Sequence, residues 1–311
     1  MPYRPSTAMR TARQYLVLTI MFLAVPLTGL ALVPTVPSGY RAFSDQNDPT
    51  NPLIYIAMVL VTTAIMLVLI KRSRLGLLKA VLFGAMGLGL FSITSLFLIL
   101  AGADEMVSLI AGVAISAIIL FLLVRYPRWY VVNGAGLVMG IGAALILGLS
   151  LGILPSLILL TALAVYDALS VYVTKHMLTL AEGVSNLGLP IILVVPGRKG
   201  AETGKLDLKD RSKDLDRDVM LMGLGDIIIP SLLVISAAAN LPPISSTGWP
   251  QPAMMVALMT LTSTLIGFLA LMLLISKGRP QAGLPYLNGS AIVGFALSYL
   301  LVYQDLGFGF G

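Results

Sequence analysis

The chain has 311 residues, 58% of them hydrophobic and only 11% charged, with a mean hydropathy of +0.95. Soluble domains carry about 25% charged residues, so this composition excludes one and predicts an integral multi-pass membrane protein, expected in the cell membrane. The net charge of +6 does not argue for nucleic acid as a partner, because the basic residues sit in short runs between apolar segments, the pattern of topology signals. Cysteine is absent and His176 is the single histidine. Thiolate and paired-histidine metal sites are therefore out of reach, and no metal or cofactor is expected.

Apolar windows of about 20 residues predict an all-α membrane fold with nine transmembrane helices, over Tyr15–Val36, Pro52–Ile70, Leu75–Ala101, Met106–Val124, Tyr130–Leu149, Ile153–Val173, Val219–Asn240, Pro252–Ile275 and Leu284–Tyr303. Each must be helical, since hydrocarbon offers its backbone no other hydrogen-bonding partner. The first follows Arg4, Arg10 and Arg13. Its apolar stretch exceeds the 7–15 residues or so of a signal-peptide core, so it reads as an uncleaved span.

With the N-terminus in the cytoplasm, nine alternating spans place every Lys and Arg except Arg41 on the inner side. The C-terminus then faces outward. Small residues crowd the third, fifth and eighth spans at Gly84, Gly87, Gly89, Gly134, Gly136, Gly140, Gly142, Ser263 and Gly267, where they permit close helix packing.

These assignments divide a single membrane domain, 1–311, into spans one to six (1–174), a cytoplasmic loop (175–218) and spans seven to nine (219–311). Within the loop, Arg198–Asp218 mixes charges of both signs without apolar periodicity and is expected to be mobile. The run Leu187–Pro196 is apolar, β-branched and closed by prolines. It is too short to span and is compatible with a strand, an interfacial segment or a stretch tucked against the membrane domain.

Two acids fall inside the spans, Asp167 in Tyr166-Asp167 and Asp226 in Gly223-Leu224-Gly225-Asp226. Carboxylates in hydrocarbon are costly and mark functional sites. Asp167 lies eight residues before Lys175 on the sixth span, and Asp226 eight residues after Asp218 on the antiparallel seventh. At 1.5 Å per residue, both sit about 12 Å in from the cytoplasmic edge, so they can meet. Two carboxylates in contact share one proton, the arrangement that activates water against an amide carbonyl. Gly223 and Gly225 are poor helix formers, and they loosen the entry to the seventh span and admit a second backbone.

Tyr166-Asp167 and Gly223-Leu224-Gly225-Asp226 on consecutive spans resemble the paired motifs of the presenilin and signal peptide peptidase family of intramembrane aspartyl proteases, and the chain's size is similar to that of its compact archaeal members. The resemblance covers essentially the whole chain. It implies an aspartic endopeptidase with Asp167 and Asp226 as catalytic pair, acting on transmembrane segments of membrane proteins in the lipid bilayer. The family's Pro-Ala-Leu motif before the last span corresponds here to Ala282-Gly283-Leu284, followed by Pro285. Gly283, Leu284 and Pro285, with Tyr166, Gly223, Leu224 and Gly225, are therefore the substrate-positioning candidates. A proton- or ion-coupled transporter using the same two carboxylates is the alternative reading. Oligomeric state is not legible in the sequence.

Overall fold

The computed structural model describes residues 7–72, 74–126, 128–171, 192–196, 219–243, 250–276, 282–305 and 307–308. These residues form α1 (Thr7–Leu32), α2 (Asn51–Lys71), α3 (Leu75–Leu100), α4 (Glu105–Arg125), α5 (Trp129–Ser150), α6 (Ile153–Leu169), β1 (Ile192–Pro196), β2 (Val219–Gly223), α7 (Gly225–Asn240), α8 (Pro252–Ser276) and α9 (Gly283–Tyr303). Seven of the helices are long and apolar enough to cross a membrane. The two shorter apolar helices, α6 and α7, are those that carry the acids.

The sixth predicted span is helical through Leu169 and continues as a π turn at residues 170–171. Its predicted end at Val173 lies outside the described residues, as do His176, Leu187–Ile191 and the charged loop 198–218.

The seventh predicted span requires a correction, because Val219–Gly223 is not helix. It is strand β2, antiparallel to β1, with Ile192 opposite Gly223, Val194 opposite Leu221 and Pro196 opposite Val219. Of the three readings open for the apolar run, Ile192–Pro196 is thus a strand. The reason is local: two glycines in three residues interrupt helix propagation, and a β-branched apolar partner strand supplies the backbone bonds instead. Helix begins only at Gly225.

Two compact units interleave along the chain, one made of Met1–Ala24, Met66–Gly140 and Leu178–Gly225, the other of Val25–Ile65, Ile141–Met177 and Asp226–Gly311. In the first unit α3 packs on α4. Gly112 lies against Ser95 and Gly87 against Leu120, and a core forms from Met86, Leu123, Val132 and Ala135.

In the second unit α7 is the central element, with every residue from Pro230 to Ala237 buried. A helix apolar on all sides belongs in the middle of a bundle. Gly29 of α1 and Gly148 of α5 both abut Ile235, where a Cβ on Gly148 would come within 2.6 Å of that side chain and 3.1 Å of the Leu232 carbonyl. The α5–α6 junction leaves backbone carbonyls without helical partners, and α7 supplies them. Ser236 Oγ donates to the Leu151 carbonyl at 2.7 Å, and Asn240 Nδ2 donates to Leu151 at 3.0 Å and to Gly148 at 3.2 Å.

Helix α8 packs against α9 through small residues, with Gly267 against Ser290 and Gly294 against Ser263, whose Oγ donates to the Ser290 carbonyl at 2.8 Å. Of the predicted small-residue contacts, Ser263 and Gly267 are therefore close approaches. Gly84 and Gly134 meet nothing within 4 Å.

These contacts separate glycines that are needed from those that are not. Gly148→Ala is expected to destabilise the protein by about 1–3 kcal/mol, because a methyl group cannot enter without shifting backbone. Gly134→Ala is expected to be neutral or stabilising by up to about 1 kcal/mol through helix propensity. Thermal unfolding of the two variants in detergent distinguishes them.

Candidate active site

Asp167 is the third residue from the C-terminal end of α6, and Asp226 is the second residue of α7. An acid in the first turn of α7 is favoured by the helix dipole, whereas an acid in the last turn of α6 faces the negative end of its own helix. Asp167 finds compensation on α9. The Leu284 amide donates to Asp167 Oδ2 at 3.1 Å, and the Gly283 amide adds a second backbone hydrogen bond.

The local sequence explains why those amides are available. The residue before α9 is Ala282, which has no side-chain oxygen to cap the helix, and alanine is among the poorest caps. Gly283 and Leu284 thus carry unsatisfied N–H groups, while Pro285 has none to satisfy. Asp167, buried with 4% of its surface exposed, serves as the missing cap from another helix.

Asp226 reaches the same place. A Cβ built on Gly283 would lie 3.0 Å from Asp226 Oδ2 and 3.2 Å from its Cγ. Both carboxylates therefore converge on the Gly283–Leu284 peptide, close enough for their charges to interact. Glycine at 283 leaves Asp226 its room. A second anchor lies deeper between the same helices, where Asn288 of α9, fully buried, donates Nδ2 to the Leu160 carbonyl of α6 at 2.8 Å. This bond holds α9 in register with α6 two turns before Asp167. Asn288 is a residue that sequence reasoning missed, and a lone amide in an apolar helix was its signal.

The remaining candidates are placed as follows. Leu284 and Pro285 form the first turn of α9, half-buried. Tyr166 is half-buried on α6, next to Asp167 in the chain. Gly223 ends β2, Leu224 is buried at the strand-to-helix step, and Gly225 opens α7, exposed, with nothing within 4 Å of an added Cβ.

Comparison with known proteins identifies the family. The family described as "Signal-peptide peptidase, presenilin aspartyl protease" matches residues 18–303. Two crystal forms described as a presenilin family intramembrane aspartate protease are similar in structure, each 31% identical in sequence. The C222 form has a TM-score of 0.63 and covers 92% of this chain and 98% of its own. The P2 form has a TM-score of 0.65 and covers 97% and 100%. No curated protein matches.

Capping in trans separates a structural role for Asp167 from any chemical one. Asp167→Ala strips two amides of their acceptor and is expected to lower stability by about 1–2 kcal/mol, as loss of a helix cap does. Asp167→Asn keeps an acceptor oxygen and is expected to unfold near the parent temperature in a detergent thermal melt.

Proposed function

The chain belongs to the signal-peptide peptidase and presenilin aspartyl protease family, and from that membership we propose that Asp167 and Asp226 are the catalytic pair by which it hydrolyses peptide bonds inside the transmembrane segments of other membrane proteins. The observation that carries this reading is the convergence of both carboxylates on the Gly283–Leu284 peptide. One carboxylate takes a proton from a water molecule as the water oxygen attacks the scissile carbonyl. The protonated partner hydrogen-bonds to that carbonyl, and a proton passes to the leaving amine as the C–N bond breaks. The pair titrates as one unit and regenerates itself. Gly283 and Leu284 hold Asp167 by their amides, and Pro285 fixes the start of α9. Tyr166 and Gly225, the chain neighbours of the two acids, are assigned to substrate positioning, Gly225 with nothing within 4 Å of an added Cβ.

The topology proposed with this chemistry has nine spans, a cytoplasmic N-terminus and an outward C-terminus, supported by the confinement of all Lys and Arg but Arg41 to one side. Helix α7, with 16 residues, is about 24 Å long against a hydrocarbon thickness of about 30 Å. A short helix preceded by strand leaves non-helical backbone near the membrane, which is tolerated where it lines a wet cavity or is buried in protein. Water for hydrolysis then reaches Asp226 from the strand end of α7.

A transmembrane substrate hides its carbonyls in its own helix and must unwind first, which frees backbone groups that need new partners. We assign those partners to β2, which ends three residues before Asp226 in the chain. An extended substrate segment adds to the sheet as a strand. A proton- or ion-coupled transporter, the alternative use of two such carboxylates, has no observation in its favour.

Asp226→Ala and Asp167→Asn are each expected to abolish cleavage of a model transmembrane peptide in detergent, where transport is impossible, with losses of at least about a thousandfold in kcat. Residual cleavage at a tenth of the parent rate in either variant sinks the catalytic pair. Leu221→Pro removes an N–H from β2 and is expected to lower kcat/KM for the peptide by about tenfold or more. Unchanged kinetics in that variant remove the added-strand arrangement.

A further inference from the structure

Asn133 stands in the apolar run Val131-Val132-Asn133 near the start of α5 and is buried, with 2% of its surface exposed. A primary amide there is costly unless all its bonds are made. It makes them to one residue. Its Nδ2 donates to the Val194 carbonyl at 2.8 Å, and its Oδ1 accepts from the Val194 amide at 2.9 Å. The side chain thus reproduces the pair of hydrogen bonds that a neighbouring strand would offer.

The direction of these bonds orients the sheet. In an antiparallel pair the N–H and C=O of a residue point to the same side, and the side alternates along the strand. Val194 therefore faces away from β2, as do Ile192 and Pro196. Pro196 has no N–H to offer a third strand, and Val194 is already occupied. Gln14 of α1, also buried, fastens the next residue by donating Nε2 to the Val195 carbonyl at 3.2 Å. On β2 the register puts the backbone groups of Val219, Leu221 and Gly223 on the outer edge. Among the described residues no hydrogen bond reaches that edge.

We propose that Asn133 is a positioning residue: it seals the outer edge of β1 as a surrogate strand, so that an unwound substrate segment pairs only with β2, the strand that leads directly into Asp226. This rests on the added-strand reading above and names the residue that makes the sheet one-sided.

The test uses the full chain in detergent with a model transmembrane peptide. Asn133→Leu, similar in size but unable to hydrogen-bond, is expected to raise KM about tenfold with kcat within about threefold, and to spread cleavage over neighbouring bonds. Asn133→Gln, which keeps the amide, is expected to recover part of the KM. Equal KM and an unspread product pattern in a folded Asn133→Leu protein overturn the proposal, as does a loss confined to kcat.

A second measurement needs no change at Asn133. In the Asp226→Asn background, amide hydrogen exchange with saturating peptide is expected to slow at Val219, Leu221 and Gly223 and to stay unchanged at Val194, which is already protected. Slowing at Ile192 and Val194 instead overturns the proposal. Because exchange reports pairing without cleavage, failure of the catalytic pair (cleavage surviving Asp226→Asn) and failure of this inference are separate results.

Discussion

Inside a bilayer an unpaired backbone amide or carbonyl has no water to fall back on, and this protein's structure depends on meeting that requirement wherever regular structure ends. Three ends are met by side chains from elsewhere in the chain. The carbonyls at the α5–α6 junction take Ser236 and Asn240 of α7. The amides at the start of α9 take Asp167 of α6. The outer edge of β1 takes Asn133 of α5. In each case a buried backbone group left without its partner costs about 1–3 kcal/mol, which makes the side chain hard to replace.

The second of these contacts joins fold and chemistry. Ala282 leaves α9 uncapped, so the helix that brings Gly283 against Asp226 is held in place by the other acid of the pair. Because Asp167 closes a helix end, the position of the carboxylate proposed to react is tied to the packing of α6 on α9, which Asn288 pins through the Leu160 carbonyl. Preorganised groups of this kind do not have to be gathered at the moment of reaction, which is where much of an enzyme's advantage over water lies.

Much of this was legible in the sequence. Of the nine spans predicted from apolar windows, seven are helices long and apolar enough to cross a membrane, and the two acids stand out because no other acid falls inside an apolar window. The shared features of the α6 and α7 motifs also carried the family resemblance. Other parts were hidden for a physical reason. The start of the seventh helix was read six residues too early, because Val219-Met220-Leu221-Met222 is equally apolar as strand or helix and only its partner decides. Asn133 and Asn288 stand out as lone amides in apolar helices, but their partners lie 61 and 128 residues away and are not legible locally. The Ala282 cap could have been noticed as a defect, but not that a residue 117 positions upstream repairs it.

The exclusion of one sheet edge bears on how the ribbon can grow. A two-stranded ribbon open on both sides can zip to neighbours indefinitely, which is how unprotected strands seed fibres. Here Pro196 and the Asn133 amide close one flank, so any added strand is confined to the β2 side. Under the proposed function, an unwound substrate segment then finds one flank of the ribbon to pair with instead of two.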